Sequence, residues 1–89
     1  MLKLFRTKTF TKEYKKQKFT DKLYAKYVTF ISILLNEHIL PPEAMNYKLK
    51  GEHEGLLEFH ISGDLLIIYR VKDNILELMR IGTHSELFK

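Results

Sequence analysis

The stretch LLEFHISGDLLIIYRVKDNILELMRI, residues 56–81, decides the architecture. Residues 56–61 alternate apolar and polar side chains, residues 65–71 are almost continuously apolar with β-branched members, and residues 75–81 alternate again. A period of two is the signature of a strand, because successive side chains point to opposite faces of a sheet. Ser62-Gly63 and Lys72-Asp73-Asn74 supply the turn residues between these runs. Three strands joined by two short turns form an antiparallel meander, with the most apolar strand in the middle.

Upstream the period changes. Residues 2–6 alternate and read as a short first strand. A helix begins near Thr7, with Phe10 and Tyr14 four apart on its buried side. Phe19-Thr20-Asp21 interrupts it, and Thr20 can cap a second helix that carries Leu23, Tyr27, Phe30, Ile31 and Leu34 at helical spacing and stops near Asn36. A connector with Pro41-Pro42 runs through Met45 and Tyr47 to Gly51 and Gly55, and proline cannot continue a helix. The pattern predicts one α+β domain over residues 1–89, ordered β-α-α-β-β-β. Its two N-terminal helices cover one face of an antiparallel sheet, and a short C-terminal tail follows.

The chain has 89 residues, too few for two cores. With 45% hydrophobic residues, six Phe and five Tyr, it is not a disordered chain. It has no Cys, which excludes a disulfide framework or a thiolate zinc site. No apolar run approaches the roughly 18 residues of a membrane span. The first residues lack the apolar stretch of a signal peptide, so a cytoplasmic location away from membranes is expected. The net charge of +4 is unevenly spread: residues 1–50 carry 11 Lys/Arg against 4 acids, and residues 51–89 carry 4 against 7. Lys8, Lys12 and Lys16, then Lys18, Lys22 and Lys26, recur every four residues and would form two cationic helix stripes. Such stripes suit sequence-independent contact with phosphates, and equally a solvated face that keeps the protein soluble.

Antiparallel geometry brings the end of the first meander strand, the start of the second and the end of the third to one edge. Those termini carry His60, Asp64 and Arg80, and Gly82-Thr83 leads on to His84. By strand parity Asp64, Leu66 and Ile68 share a face, as do Arg80 and Leu78; register decides whether these faces coincide. Two imidazoles, a carboxylate and a guanidinium suit phosphodiester transfer in RNA. Histidines titrate near neutrality and can move the protons of the 2′-hydroxyl and the leaving 5′-oxygen, while arginine holds the charge that builds on the phosphate. Four ligands for a metal are not evident, and neither metal nor cofactor is expected. Singly, each residue has a plainer role. His60 can face solvent, Asp64 can stabilise a turn, Arg80 can pair with Glu58 or Glu77, and His84 can cap or end structure.

The string Arg80-Ile81-Gly82-Thr83-His84-Ser85-Glu86-Leu87-Phe88, together with Leu49-Lys50-Gly51, His60-Ile61-Ser62-Gly63-Asp64 and Leu66-Ile67-Ile68-Tyr69, resembles YafQ-like toxins of the RelE/ParE superfamily. The resemblance implies a RelE-like fold and the toxin of a type II toxin–antitoxin pair. It further implies an mRNA interferase, a metal-independent endoribonuclease that acts on mRNA at the ribosome beside 16S rRNA. It assigns His60 and Asp64 to proton removal and positioning, Arg80 to the phosphate, His84 to the role of general acid, and Phe88 to a place near the RNA or to packing of the tail. The implied partner is a DinJ-like antitoxin, acidic and of ribbon-helix-helix type, through which the complex would bind operator DNA. Two positions depart from the family pattern. Tyr47 stands where His is usual before the Leu-x-Gly element, and Leu57 stands where Arg often precedes the strand histidine. A phenol is a poor base at neutral pH but still hydrogen-bonds a phosphate, and Lys50 or His53 could supply the missing cation. A catalytically weak binder of RNA, ribosome or antitoxin, and a ParE-like gyrase inhibitor, are the alternatives that this scaffold allows.

Overall fold

Threonine hydroxyls start both long helices of the computed structural model, which describes residues 1–88. Thr7 accepts from the Phe10 N–H and Thr20 from the Leu23 N–H, each at 3.1 Å. A cap of this kind stabilises a helix by about 1 kcal/mol. The elements in chain order are β1 (Lys3–Arg6), α1 (Lys8–Lys16), α2 (Asp21–Leu35), β2 (Tyr47–Lys48), β3 (Leu57–Ser62), β4 (Leu65–Lys72), β5 (Ile75–Thr83) and α3 (His84–Leu87). Single 3₁₀ turns at Pro42–Ala44 and Gly51–His53 flank β2. The sheet order is β1-β5-β4-β3-β2, so the most apolar strand is central, as its composition requires. β1 runs parallel to β5, and every other pairing is antiparallel. No described helix is long and apolar enough to cross a membrane.

Phe10 of α1 and Tyr27, Phe30, Ile31 and Leu34 of α2 pack on Phe59, Ile61, Ile67, Tyr69, Leu76, Leu78 and Ile81. Phe59, with no exposed surface, meets the Phe30 and Tyr69 rings edge-on at 6.1 and 5.5 Å. The opposite face of the sheet is covered only in part. Leu87 of α3, with Leu49, Leu56, Met79 and Phe88, closes over Leu66 and Ile68. The β4–β5 turn is made by Asp73 and Asn74, both left-handed at φ 53° and 64°. Two positive φ values in a two-residue loop match the right-handed twist of the strands.

The structure corrects three expectations. His84 neither caps nor ends structure: Thr83 caps α3, accepting from the Glu86 N–H while the Glu86 carboxylate accepts from the Thr83 N–H, so His84 opens the helix. Arg80 and Leu78 do not share a face. Ile68 pairs with Arg80 but Tyr69 pairs with Leu78, so Met79 is an extra residue that shifts the parity of the strand. The second lysine stripe is broken, because the Thr20 cap starts α2 at Asp21 and leaves Lys18 in the connector.

Candidate functional site

Register places the polar groups. Tyr47 pairs with Glu58, Glu58 with Ile68, and Ile68 with Arg80, so these four form one cross-strand row on a single face. The next row is His60, Leu66 and Gly82. Ile68 and Leu66 belong to the apolar cluster opposite the helix-packed core, so both rows start on that face, although the Arg80 guanidinium reaches over the β5 edge to α1. Strands lie about 4.8 Å apart, which puts the His60 and Gly82 backbones roughly 10 Å from each other. Tyr47, Glu58, His60 and Arg80 therefore surround a floor of leucine and isoleucine.

α3 is folded down over the end of this floor. Gly82 makes the approach possible: a Cβ there would stand 3.0 Å from Glu86 Oε1 and 3.1 Å from Leu87 Cδ2. Asp64, in the β3–β4 turn, accepts from the His84 N–H at 3.4 Å and so reaches one of the unpaired donors of the helix start. Asp64 thus joins the β3–β4 turn to the start of α3. The His84 ring lies 4.7 Å from Phe88, which in turn meets His53 edge-on at 5.4 Å. Phe88 packs on the Leu66–Ile68–Leu87 cluster, so the tail-packing role is met by direct contact.

His60 is held within β3, its Nε2 3.7 Å from Glu58 Oε2, and Glu58 is the one buried charged residue among those described. The His60 Nδ1 is buried and makes no hydrogen bond. Leaving such an atom unpaired costs free energy. Arg80 does not pair with Glu58 or with Glu77, which binds Arg70 at 2.7 Å. β1 covers β5 only as far as Leu78, and beyond it α1 runs along the strand edge. From α1 the Glu13 carboxylate accepts from Arg80 Nε at 3.0 Å, from Arg80 Nη2 at 2.6 Å and from the Ile81 N–H at 3.2 Å. These bonds push the Arg80 guanidinium above its ordinary range.

The four sequence-predicted groups His60, Asp64, Arg80 and His84 thus gather at one end of the sheet, with Tyr47 in the Arg80 row. Lys50 is exposed beside the Gly51–His53 turn and lines a cavity with Lys48, Leu49 and Leu56. Lys8, Lys12 and Lys16 are exposed on α1 and Lys22 on α2, whereas Lys26 is half-buried and paired with Glu43 at 2.8 Å. No three His, Cys, Asp or Glu among the described residues come together as a metal site. Glu13 went unseen in the sequence because 67 residues separate it from Arg80. His53 has a clearer place than its sequence suggests: it lines a cavity of about 410 Å³ with Thr7, Leu56, Ile68, Met79 and Arg80.

A sheet with one face under two helices and the other left to polar groups and a short C-terminal helix defines a RelE-like α+β protein. Within that class the chain belongs to the family described as the bacterial toxin of type II toxin–antitoxin systems, YafQ, whose model it matches over residues 2–89. It is similar to the mRNA interferase toxin YafQ of Escherichia coli K12, 32% identical over 59 residues that cover 65% of this chain and 64% of that one. The match spans about 65% of the length of the curated relatives. A copper-bound mutant toxin from Helicobacter pylori superposes with a TM-score of 0.88 at 37% identity, covering 99% of this chain and 100% of that one. YafQ in the DinJ–YafQ complex of E. coli superposes at 0.84 and 25% identity over the whole of both chains.

Proposed function

We propose that this chain is the toxin of a type II toxin–antitoxin pair and cleaves mRNA at the ribosome. The reading is carried by one observation: His60 and Arg80 share an open sheet face over whose end Asp64 and α3 hold His84. The ribose 2′-hydroxyl loses its proton to His60, with Asp64 in a positioning role, and attacks the adjacent phosphorus. The P–O5′ bond breaks, a 2′,3′-cyclic phosphate forms, and His84 protonates the departing 5′-oxygen. Arg80 holds the charge on the phosphoryl oxygens above an apolar floor that strengthens the interaction. Phe88 and Tyr47 flank the strand of RNA, and Lys8, Lys12, Lys16 and Lys22 hold rRNA phosphates. The name of the E. coli relative, an mRNA interferase, supports this reading.

The departure at Leu57 weighs little against it. Positions 57 and 60 differ by an odd number, and Leu57 packs with the helix-side core, so an arginine there would start from the face away from His60. The partner is an antitoxin, a reading supported by the solved complex of the relative YafQ with DinJ; by charge complementarity, an acidic, amphipathic segment of it covers the lysine-bearing helices. Through its ribbon-helix-helix half, the pair binds operator DNA.

The test is mapping of RNA 5′ ends after induction, for the native chain and for His84→Ala. New ends within translated mRNA are expected for the native chain, with a fall of about 10²–10⁴-fold for the variant at unchanged melting temperature. Arrest of translation without new ends would favour a binder over a nuclease.

A further inference from the structure

Arginine is a useful phosphate contact only when its fork is held in place. A free guanidinium on a three-carbon stem samples many rotamers, and loss of geometry at a charge-stabilising group is felt in the rate rather than in binding. Glu13 takes the inner edge of the Arg80 fork, receiving Nε–H and one Nη2–H. The Nη1 pair and the second Nη2 hydrogen stay outside this grip. The carboxylate is itself fixed, because Oε1 also accepts from the Ile81 N–H on the edge of β5 that β1 leaves uncovered. Glu13 is only 19% exposed, against 39% for Arg80. Arg80 stands between two cavities, one lined by Glu13, Lys16, Gln17, Ile81 and Glu86 and the other by His53, Ile68 and Met79 among others. The first cavity sets two cations, Lys16 and Arg80, against two carboxylates, Glu13 and Glu86.

We propose that Glu13 is a positioning residue for Arg80: it clamps the inner edge of the guanidinium so that the outer N–H groups are presented to an RNA phosphate. The inference rests on the reading of Arg80 as the phosphate contact and adds a residue from α1 to the site. It makes the helix that bears Lys8, Lys12 and Lys16 part of the reaction centre as well as an electrostatic surface.

A double-mutant cycle on the full chain tests this, using translated mRNA as substrate and Glu13→Gln, Arg80→Ala and the double variant as proteins. Glu13→Gln is expected to lower kcat about tenfold and to move KM less than threefold, and to have no further effect once Arg80 is alanine. Glu13→Gln cleaving at the native rate or faster, as a carboxylate that merely blocks the site would require, overturns the proposal. So does a tenfold loss that persists in the Arg80→Ala background, which would mark Glu13 as structural. Arg80→Lys in the otherwise native chain guards against misfolding at position 13. Lysine keeps the charge but cannot be gripped along an edge, so a loss close to that of Arg80→Ala is expected, and native activity would overturn the clamp. The same proteins are titrated with an all-deoxy oligonucleotide that cannot be cut. Where the native chain cuts RNA, absence of coupling in kcat sinks the clamp alone. Where it cuts none, the nuclease reading falls and the clamp stands only if the two variants couple in affinity for this probe, so that neither cleavage nor such coupling would sink both.

Discussion

The two faces of the one sheet are built from adjacent residues and have opposite characters. On β3, Phe59 and Ile61 point into the helix layer and are fully buried, while His60 between them points the other way, with an unpaired nitrogen. The helix face is an apolar and aromatic core throughout. The other face has its apolar residues in the middle, Leu66 and Ile68 on β4, and its polar residues on the flanking strands, Glu58 and His60 on β3 and Arg80 on β5. The difference shows how a chain of this size separates a packed core from a polar face. The helix side supplies nearly all the burial, which lets the other side keep polar groups that would weaken a small core. The apolar middle strand also gives those groups a dry floor, on which charge–charge interactions are stronger than in water.

The largest expected effect breaks the stable face. Phe59→Ala removes a ring that touches Phe30 and Tyr69 and leaves a cavity under α2. The expected loss is about 3–5 kcal/mol in urea unfolding, enough to unfold a large share of a marginal domain. A loss below about 1 kcal/mol would mean that the helix layer is not where stability resides. Gly82→Ala sharpens the comparison from the other side. Its new Cβ would press on the Glu86 carboxylate and the Leu87 methyl, both ends of flexible side chains, so the stability loss should be about 1 kcal/mol. The same methyl lifts α3 and moves His84 relative to His60, so RNA cleavage should fall by about tenfold or more. Melting and cleavage assays on one preparation separate the two effects, and equal rates for native and variant protein would show that α3 does not hold a reacting group.

The faces were not equally legible in the sequence. The helix face follows from alternation in residues 56–61 and 75–81 and from helical spacing between Leu23 and Leu34, because burial of apolar residues is a periodic signal. The caps at Thr7 and Thr20 are equally local, and the strands stand where the turn residues place them. The polar face depends on pairing, which no local pattern encodes. Arg80 changes sides relative to Leu78 only because Met79 is unmatched on β4. The two residues of β2 form a strand because β3 offers them a partner, and Glu13 meets Arg80 because β1 ends before β5 does. The motif residues His60, Asp64, Arg80 and His84 could be gathered from sequence, but the residue that grips Arg80 could not.

The smallest expected effect concerns a link between the faces. Tyr69 is buried in the helix-side core, yet its hydroxyl donates to Asn46 Oδ1 at 2.7 Å, directly before the strand that carries Tyr47 on the other face. Tyr69→Phe keeps the ring and deletes this bond, so a loss of about 1 kcal/mol is expected at neutral pH. Burial raises the phenol above its ordinary value of 10.0. Burial also raises Tyr14 and Tyr27. A raised folded-state value means that the unfolded chain ionises first. The contribution to stability is complete below pH 10 and is lost as pH climbs through the folded value. Native protein should therefore weaken above pH 10, and Tyr69→Phe, with one of the three phenols gone, should weaken along a shallower slope. Urea midpoints from pH 7 to 11 measure both quantities. Parallel curves for native and variant protein would show that Tyr69 ionises as freely in the fold as in water. In that case its hydroxyl does not tie the buried face to the strand that carries Tyr47.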